Sequence, residues 1–382
     1  MLYTQPPDKY RLVLRVVLIF CLIISTFIGW WILRHGFILT PDSYHYLSAA
    51  KSFKEANIFL NPDGSSYTHW PPLFPFILSL VNSSEQAMII IYVAIKIGIG
   101  LLVYFLTHRF LNNYFTKIIY LLTVLLSVHL LLITVFLWSE FIFLALLLLH
   151  VYATLLISKS KAYYYLLILS GFLLCLQRNA GVFWIVSTTL WFLTEGNTPL
   201  KKRLISSVFY FISSSAGLAC WYIYNLMIRN DHTTFERRQF FADIFLNIKL
   251  IISDLGHTFF PLHASALLVG ILILGCLMFY WYRYFRYDRA FNLIMLGIVV
   301  YTAGFITLSG LTAEAMERFF AVILPLFLLL PFKVIEHLLM RFPTRVTVVR
   351  IGLVIWLLYP IARMGKNALY WNDVSHGAVS DK

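Results

Sequence analysis

The sequence predicts an all-α membrane protein: a bundle of about eleven transmembrane helices, with interfacial helices in its first outer loop. Three observations carry this. Of 382 residues, 60% are hydrophobic and only 12% are charged, and the mean hydropathy is +0.80. A soluble domain carries about 25% charged residues, so this chain lacks the polar material to coat a water-facing globule. The second observation is a succession of apolar runs, many near the roughly 20 residues that a spanning helix needs. The third is the way charge divides between the loops. Together they exclude a soluble enzyme, a disordered chain and a disulfide scaffold.

The apolar runs place spans at residues 12–33, 86–106, 117–135, 138–157, 162–177, 181–194, 204–226, 259–282, 290–309, 319–338 and 346–364. The chain reads as a single transmembrane domain over 1–382. Spans five and six are short, and Gln177-Arg178-Asn179 breaks them. The first run is too long for a cleavable signal, and no small-residue cleavage site follows it. Lys9, Arg11 and Arg15 precede it, which predicts a cytoplasmic N-terminus. With an odd number of spans the polar tail 365–382 falls outside, with no reason to be ordered.

That orientation accounts for the net charge of +13. The inner segments hold 17 basic residues, from Lys9 to Arg350, and only Asp8, Glu195, Asp288 and Glu336 as acids. The basic excess therefore reports topology and gives no support to nucleic-acid binding. The reverse asymmetry is more informative. Thirteen of the 17 acidic residues fall outside, although orientation barely depends on acids. An acidic surplus on one face suggests ligand handling there. The four cysteines lie in apolar runs without a CxxC pair and read as small buried hydrophobes.

Residues 34–85 form the longest outer connection. Thr40-Pro41-Asp42-Ser43 opens a helical stretch in which Tyr46, Leu47, Ala50 and Phe53 share one face and Lys51, Lys54 and Glu55 the other. This predicts an amphipathic interfacial helix. Asn61-Pro62-Asp63-Gly64 predicts a turn. Residues 73–81, behind Trp70-Pro71-Pro72, are apolar but too few to span, and predict a second interfacial helix. Residues 227–258 form a second outer loop with mixed charge.

Several residues admit two readings. Asp42 is a helix N-cap or a catalytic carboxylate. Glu140 is a helix-start acid or the wall of an outward cavity. Arg178 pairs with Glu140 or holds a phosphate, which suits its planar fork. Arg318 anchors its helix at the interface or contacts a phosphate. Arg237 and Arg238 belong to a solvated loop or engage a phosphate headgroup. Lys96 lies mid-span with no assigned role. No Gly-rich phosphate loop and no metal-ligand spacing occurs, so nucleotide and metal have no motif.

The order and sidedness of five stretches resemble the GT-C superfamily of polytopic glycosyltransferases, which includes the protein O-mannosyltransferases and the lipid A aminoarabinose transferases. They are Pro41-Asp42-Ser43-Tyr44 with Ala49-Ala50, His69-Trp70-Pro71-Pro72-Leu73, Leu137-Trp138-Ser139-Glu140-Phe141, Gln177-Arg178-Asn179-Ala180-Gly181, and Glu317-Arg318-Phe319-Phe320 running to Pro325. The resemblance covers roughly residues 12–330. It implies a GT-C-like bundle and transfer of a sugar from a polyprenyl-phosphate donor to a glycan, lipid or protein acceptor. The face would be the periplasmic or exterior one of a bacterial plasma membrane. It also implies Asp42 as the catalytic residue and Glu140, Arg178, Arg318, His69, Arg237 and Arg238 as substrate contacts. The sequence departs from the superfamily at one point: the DxD or ExD motif is missing, and Glu314 and Glu317 are the nearest acids. No cofactor is implied, and membrane lipid is the surrounding partner. A lipid-linked sugar transporter or flippase, an O-antigen polymerase or ligase-like enzyme, and a structural membrane subunit are the rival readings. The first should spread polar groups through mid-span, and the second should place its main outer loop late in the chain.

Overall fold

A computed structural model describes residues 8–81, 85–194, 199–228, 243–307 and 313–380. Fifteen α-helices occupy them. Among the described residues, the eleven apolar runs fall largely on helix. The longest are α1 (Asp8–Leu33), α4 (Glu85–Phe110), α10 (Leu200–Ile228), α12 (His263–Tyr280), α13 (Arg289–Ile306), α14 (Ala313–Arg341) and α15 (Val346–Ser380). Together with the segment Tyr114–Val135, these give eight stretches long and apolar enough to cross a membrane. The chain is a multi-pass membrane protein.

The segment Tyr114–Val135 is broken into α5 (Tyr114–Leu125) and α6 (Val128–Val135). Ser127 makes the break, because its Oγ accepts from Leu130 N at 3.1 Å and caps α6. The helices α7 (Glu140–Leu156), α8 (Lys161–Gln177) and α9 (Gly181–Thr194) are shorter than a bilayer core requires. Their position inside the bundle compensates: α7 is buried over most of its length, so its backbone ends meet protein rather than lipid. A polar network ties these short helices together deep in the bundle. His150 of α7 lies within 3.2 Å of Ser170 Oγ on α8 and Thr188 Oγ1 on α9, and 3.0 Å from the Tyr210 hydroxyl on α10.

The connection over residues 34–85 carries the two expected helices, α2 (Pro41–Ala56) and α3 (Leu73–Leu80). In α2 the buried residues are Ser43, Tyr46, Ala49 and Ala50, while Lys51, Lys54 and Glu55 are exposed. The helix stops at Asn57, whose left-handed backbone (φ 57°) lets its N–H reach Phe53 O at 2.8 Å. The turn at residues 61–64 closes with Gly64 N donating to Asn61 O, and Gly64 takes the positive φ of 80° that only glycine adopts freely.

Two expectations need correction. The stretch 227–258, expected as a loop, contains among its described residues a further helix, α11 (Ile244–Phe259), which packs tightly on α12. Its alternation of apolar and polar residues follows helical spacing inside a stretch that mixed charge had marked as loop. The tail after residue 364 is also not irregular, because α15 continues to Ser380. Trp371, Asn372 and Ser375 are buried, and Ser375 Oγ donates to Ile32 O at 3.3 Å. A polar composition was misleading here because polar residues of the tail, Ser375 and His376, are the ones that meet the end of α1.

Candidate active site

The chain leaving α1 and the chain entering α7 are stapled together. Ile38 N donates to Val135 O at 3.1 Å, and Leu137 N donates to Ile38 O at 3.2 Å. Ser43 Oγ adds a bond to Leu137 O at 3.0 Å. These three bonds fix the start of α2 against the start of α7, and so bring Asp42 beside Glu140.

Asp42 is not the cap of its helix. The N-cap is Thr40, whose backbone N donates to Ser43 Oγ at 3.0 Å, and Pro41 takes the first helical position. Asp42 stands in the first turn, where the helix dipole favours an acid and its carboxylate is free to point away from the helix. Glu140 is the first residue of α7 and is almost wholly buried, with 3% of its side chain exposed. Arg178 sits on extended backbone between α8 and α9. The chain turns back sharply there, with Gly181 N donating to Arg178 O at 2.9 Å. A Cβ on Gly181 would come within 2.6 Å of the Leu174 carbonyl, so the turn requires glycine. Arg318 lies in the first turns of α14.

These four side chains, from four separate elements, form one ion-pair cluster. Glu140 Oε1 receives Arg178 Nη1 at 2.7 Å and Arg318 Nη2 at 2.7 Å. Arg318 Nη1 reaches Asp42 Oδ2 at 3.0 Å. Arg178 Nη1 also donates to Ser139 Oγ at 2.9 Å. Two carboxylates and two guanidinium groups balance in formal charge, which lowers the cost of holding them within the bundle. Their roles differ by access. Glu140 is enclosed and serves both arginines as a shared counter-ion. Asp42 keeps 27% of its side chain exposed and so remains within reach of a substrate.

The sequence reading missed the aromatic floor of this cluster. The Arg318 guanidinium lies over the Trp138 ring, 4.1 Å from its centroid, a geometry that stabilises a cation against a π face. Trp138 Nε1 donates to Thr40 Oγ1 at 2.9 Å, which locks the ring in place. Gln177 Nε2 donates to Ser139 O at 2.9 Å, and the Tyr46 hydroxyl lies 3.4 Å from Ser139 Oγ. The signal was present in the stretch Leu137–Phe141, where a tryptophan and a serine flank the acid.

His69 is exposed, with its ring against Trp70 at 4.3 Å, and Trp70 in turn faces Tyr46 at 5.6 Å. Glu317 turns to Arg363 of α15 at 3.4 Å instead of joining its neighbour Arg318. Arg237 and Arg238 lie outside the described residues. A groove of about 740 Å3 runs beside α2, lined by Phe37, Tyr44, Leu47, Lys51 and Met88 among others.

A second charged group marks the other end of the bundle. Glu336 accepts from the backbone N–H groups of Asn112, at 2.6 Å, and Asn113, and pairs with Lys333 at 3.3 Å. From Arg318 to Glu336 along α14 is about 27 Å at 1.5 Å per residue. The two groups are thus separated by about the thickness of a bilayer core.

No family model matches the chain, and no curated protein matches it in sequence. A solved structure does match in shape: ArnT from Cupriavidus metallidurans bound to undecaprenyl phosphate. The match has a TM-score of 0.58 at 11% identity and covers 83% of this chain. The fold is GT-C-like. The chain spans 59% of the length of that structure. At this identity the likeness is one of architecture, and a GT-C-like architecture was the expectation drawn from the five stretches above.

Proposed function

We propose that the protein is a membrane glycosyltransferase that moves a sugar from a polyprenyl-phosphate donor to an acceptor at the outer face of the membrane. The observation that carries this reading is the cluster itself. A partly exposed carboxylate and two arginines meet at one end of a GT-C-like bundle, and the solved structure of similar fold holds undecaprenyl phosphate. In this reading residues 34–85 and 227–258 form the outer loops over the site, and the membrane is a bacterial plasma membrane.

The chemistry follows from the pairings. A donor phosphate arriving at Arg318 competes with Asp42 for the same guanidinium, since Arg suits a multi-oxygen anion better than a single carboxylate oxygen. Displacement frees the Asp42 carboxylate. The acceptor hydroxyl or amine then attacks C1 of the sugar while the C1–O bond to phosphate breaks. Its proton passes to Asp42, and the polyprenyl phosphate leaves with its added negative charge stabilised by Arg318 and Arg178. One displacement at C1 inverts the anomeric configuration. Glu140 keeps both arginines aligned before donor binds.

The test is transfer from a purified lipid-linked sugar, followed in detergent or liposomes with a panel of acceptors. Product with inverted anomeric configuration, lost in Asp42→Asn, is the expected result. Movement of the intact lipid-linked sugar across a liposome membrane, without cleavage at C1, would instead identify a flippase.

A further inference from the structure

The far end of the bundle carries a cavity that the proposed reaction does not use. It is a groove of about 800 Å3 between α12, the π-helical turn Trp281–Phe285 and α13, with Trp191 of α9 in its wall. From Arg289, where α13 begins, to Phe305, whose ring packs at a tilt on Phe319 at 4.2 Å beside Arg318, is about 24 Å along the helix. The groove and the ion-pair cluster therefore sit at opposite ends of α13. The rest of its surroundings agree, because Phe285 and Tyr284 pack on His337 at the far end of α14.

The groove has two chemically distinct parts. One is apolar, formed by Met278, Met295, Leu296 and Val299. Met278 is 47% exposed and Val299 51% exposed, so this part opens sideways, where acyl chains lie. The other part is cationic, formed by Arg286 and Arg289, both exposed. Aromatic rings orient them: Arg289 lies 5.1 Å from the Trp191 centroid and Arg286 lies 4.7 Å from that of Tyr287. The frame beneath is braced by hydrogen bonds. Trp281 Nε1 donates to Asn292 Oδ1 at 2.7 Å, Asn292 Nδ2 donates to Arg286 O at 2.8 Å, and Trp191 Nε1 donates to Arg289 O at 3.1 Å. Asp288, between the two arginines, fixes the start of α13. Asp288 Oδ1 accepts from Ala290 N and Phe291 N, both at 3.0 Å, and caps α13. A π-helical turn at such a place recurs at functional sites.

We infer that this groove binds an anionic phospholipid, with its phosphate on Arg286 and Arg289 and one acyl chain along Met295 and Val299; that the lipid belongs to the cytoplasmic leaflet rests on the proposed function, which puts the ion-pair cluster at the outer face. The charge is complementary to an anionic headgroup, and basic pockets between helices on the cytoplasmic side take such lipids. A soluble phosphate would leave the apolar half of the groove empty. A zwitterionic lipid would bring a cation of its own to the two arginines. The volume is that of an ordinary ligand site, enough for a headgroup and part of one chain.

The experiment is native mass spectrometry of the full-length protein in detergent, titrated with phosphatidylglycerol or with phosphatidylcholine of the same acyl chains. Wild type should retain phosphatidylglycerol about tenfold or more over phosphatidylcholine, as two surface arginines imply. The charge-removing pair Arg286→Gln/Arg289→Gln should abolish that preference, and Arg286→Lys/Arg289→Lys should restore most of it. Met295→Trp, which fills the apolar half and keeps both charges, should also lose the retained lipid. Equal retention of the two lipids by wild type would overturn the assignment, and so would unchanged phosphatidylglycerol retention in a folded Arg286→Gln/Arg289→Gln or Met295→Trp protein. Retention of undecaprenyl phosphate in place of phosphatidylglycerol would overturn it as well, by identifying a different occupant.

Discussion

Arg318 donates to Asp42 Oδ2 at 3.0 Å across 276 residues of sequence. The same guanidinium holds Glu140 at 2.7 Å and stacks on Trp138. Arg318 is therefore the joint of the cluster, and Asp42 is the more exposed of its two carboxylates.

Asp42→Asn should keep the fold and lose transfer. Thr40, not Asp42, caps α2, so the substitution removes a charge near the helix start and the partly exposed pair with Arg318, each a matter of about 1 kcal/mol or less. Loss of a general base costs about 10²–10⁴ in rate. Asp63→Asn is the control. Asp63 is exposed and outside the cluster, and the hydrogen bonds from the Ser65 hydroxyl and backbone N–H hold its carboxyl below the usual range. Protein level and glycan transferred, measured for both variants, decide the point. Full activity in Asp42→Asn would end the mechanism.

Arg318→Lys should behave as a loss of function and not as a conservative change. One ammonium cannot span Asp42 and Glu140 and also lie flat on Trp138. A hydrogen bond to a charged group contributes about 1.5–3 kcal/mol, so donor KM should rise by about 10-fold to 100-fold. An unchanged KM would remove Arg318 from the donor site.

Glu140→Ala should destabilise more than any other single change in the cluster. It leaves two guanidinium groups facing each other with one counter-ion gone, and breaking a buried pair costs about 3–5 kcal/mol. The double variant Glu140→Ala/Arg178→Ala should regain part of the melting temperature in detergent. Full recovery of transfer in the double variant would make Arg178 purely structural.

The contact between α11 and α12 rests on two glycines. A Cβ at Gly256 would meet Ala266 O at 1.7 Å, and one at Gly270 would meet Ile252 O at 2.0 Å. Close backbone approach at small residues is a common way for helices to associate in membranes. Gly256→Ala and Gly270→Ala should each cost about 1–3 kcal/mol through overpacking. Gly275, on the same helix, has nothing within 4 Å of its Cβ position, so Gly275→Ala should be tolerated. Thermal unfolding in detergent separates the three.

The two termini should lie on opposite faces of the membrane. Ser375, near the end of α15, bonds Ile32 at the far end of α1, and His376 packs on His35 with ring centroids 3.5 Å apart. The chain begins at the other end of α1. Reporter fusions at each terminus should give opposite signals, and matching signals would mean that α1 does not cross.

The sequence made legible the class of the protein, the approximate place of every long helix, and the two helices within residues 34–85. All of these follow from composition and periodicity, which are local, and from the length that a bilayer imposes. It also pointed to Asp42, Glu140, Arg178 and Arg318, because a charge at the edge of an apolar run is conspicuous. Only the tertiary structure decided what these residues do to one another. Asp42 lost its role as a cap because Thr40 takes it, and Arg178 proved to share Glu140 with Arg318. Trp138 became the floor of the site through a stacking contact that no spacing encodes. The helix α11 and the ordered end of α15 were hidden because each is polar enough to pass for loop, and what holds it in place is a contact with α12 or with the end of α1. Local pattern specifies which segments enter the membrane. The long-range pairing of charges depends on how those segments pack, and that is decided by contacts between residues far apart in the chain.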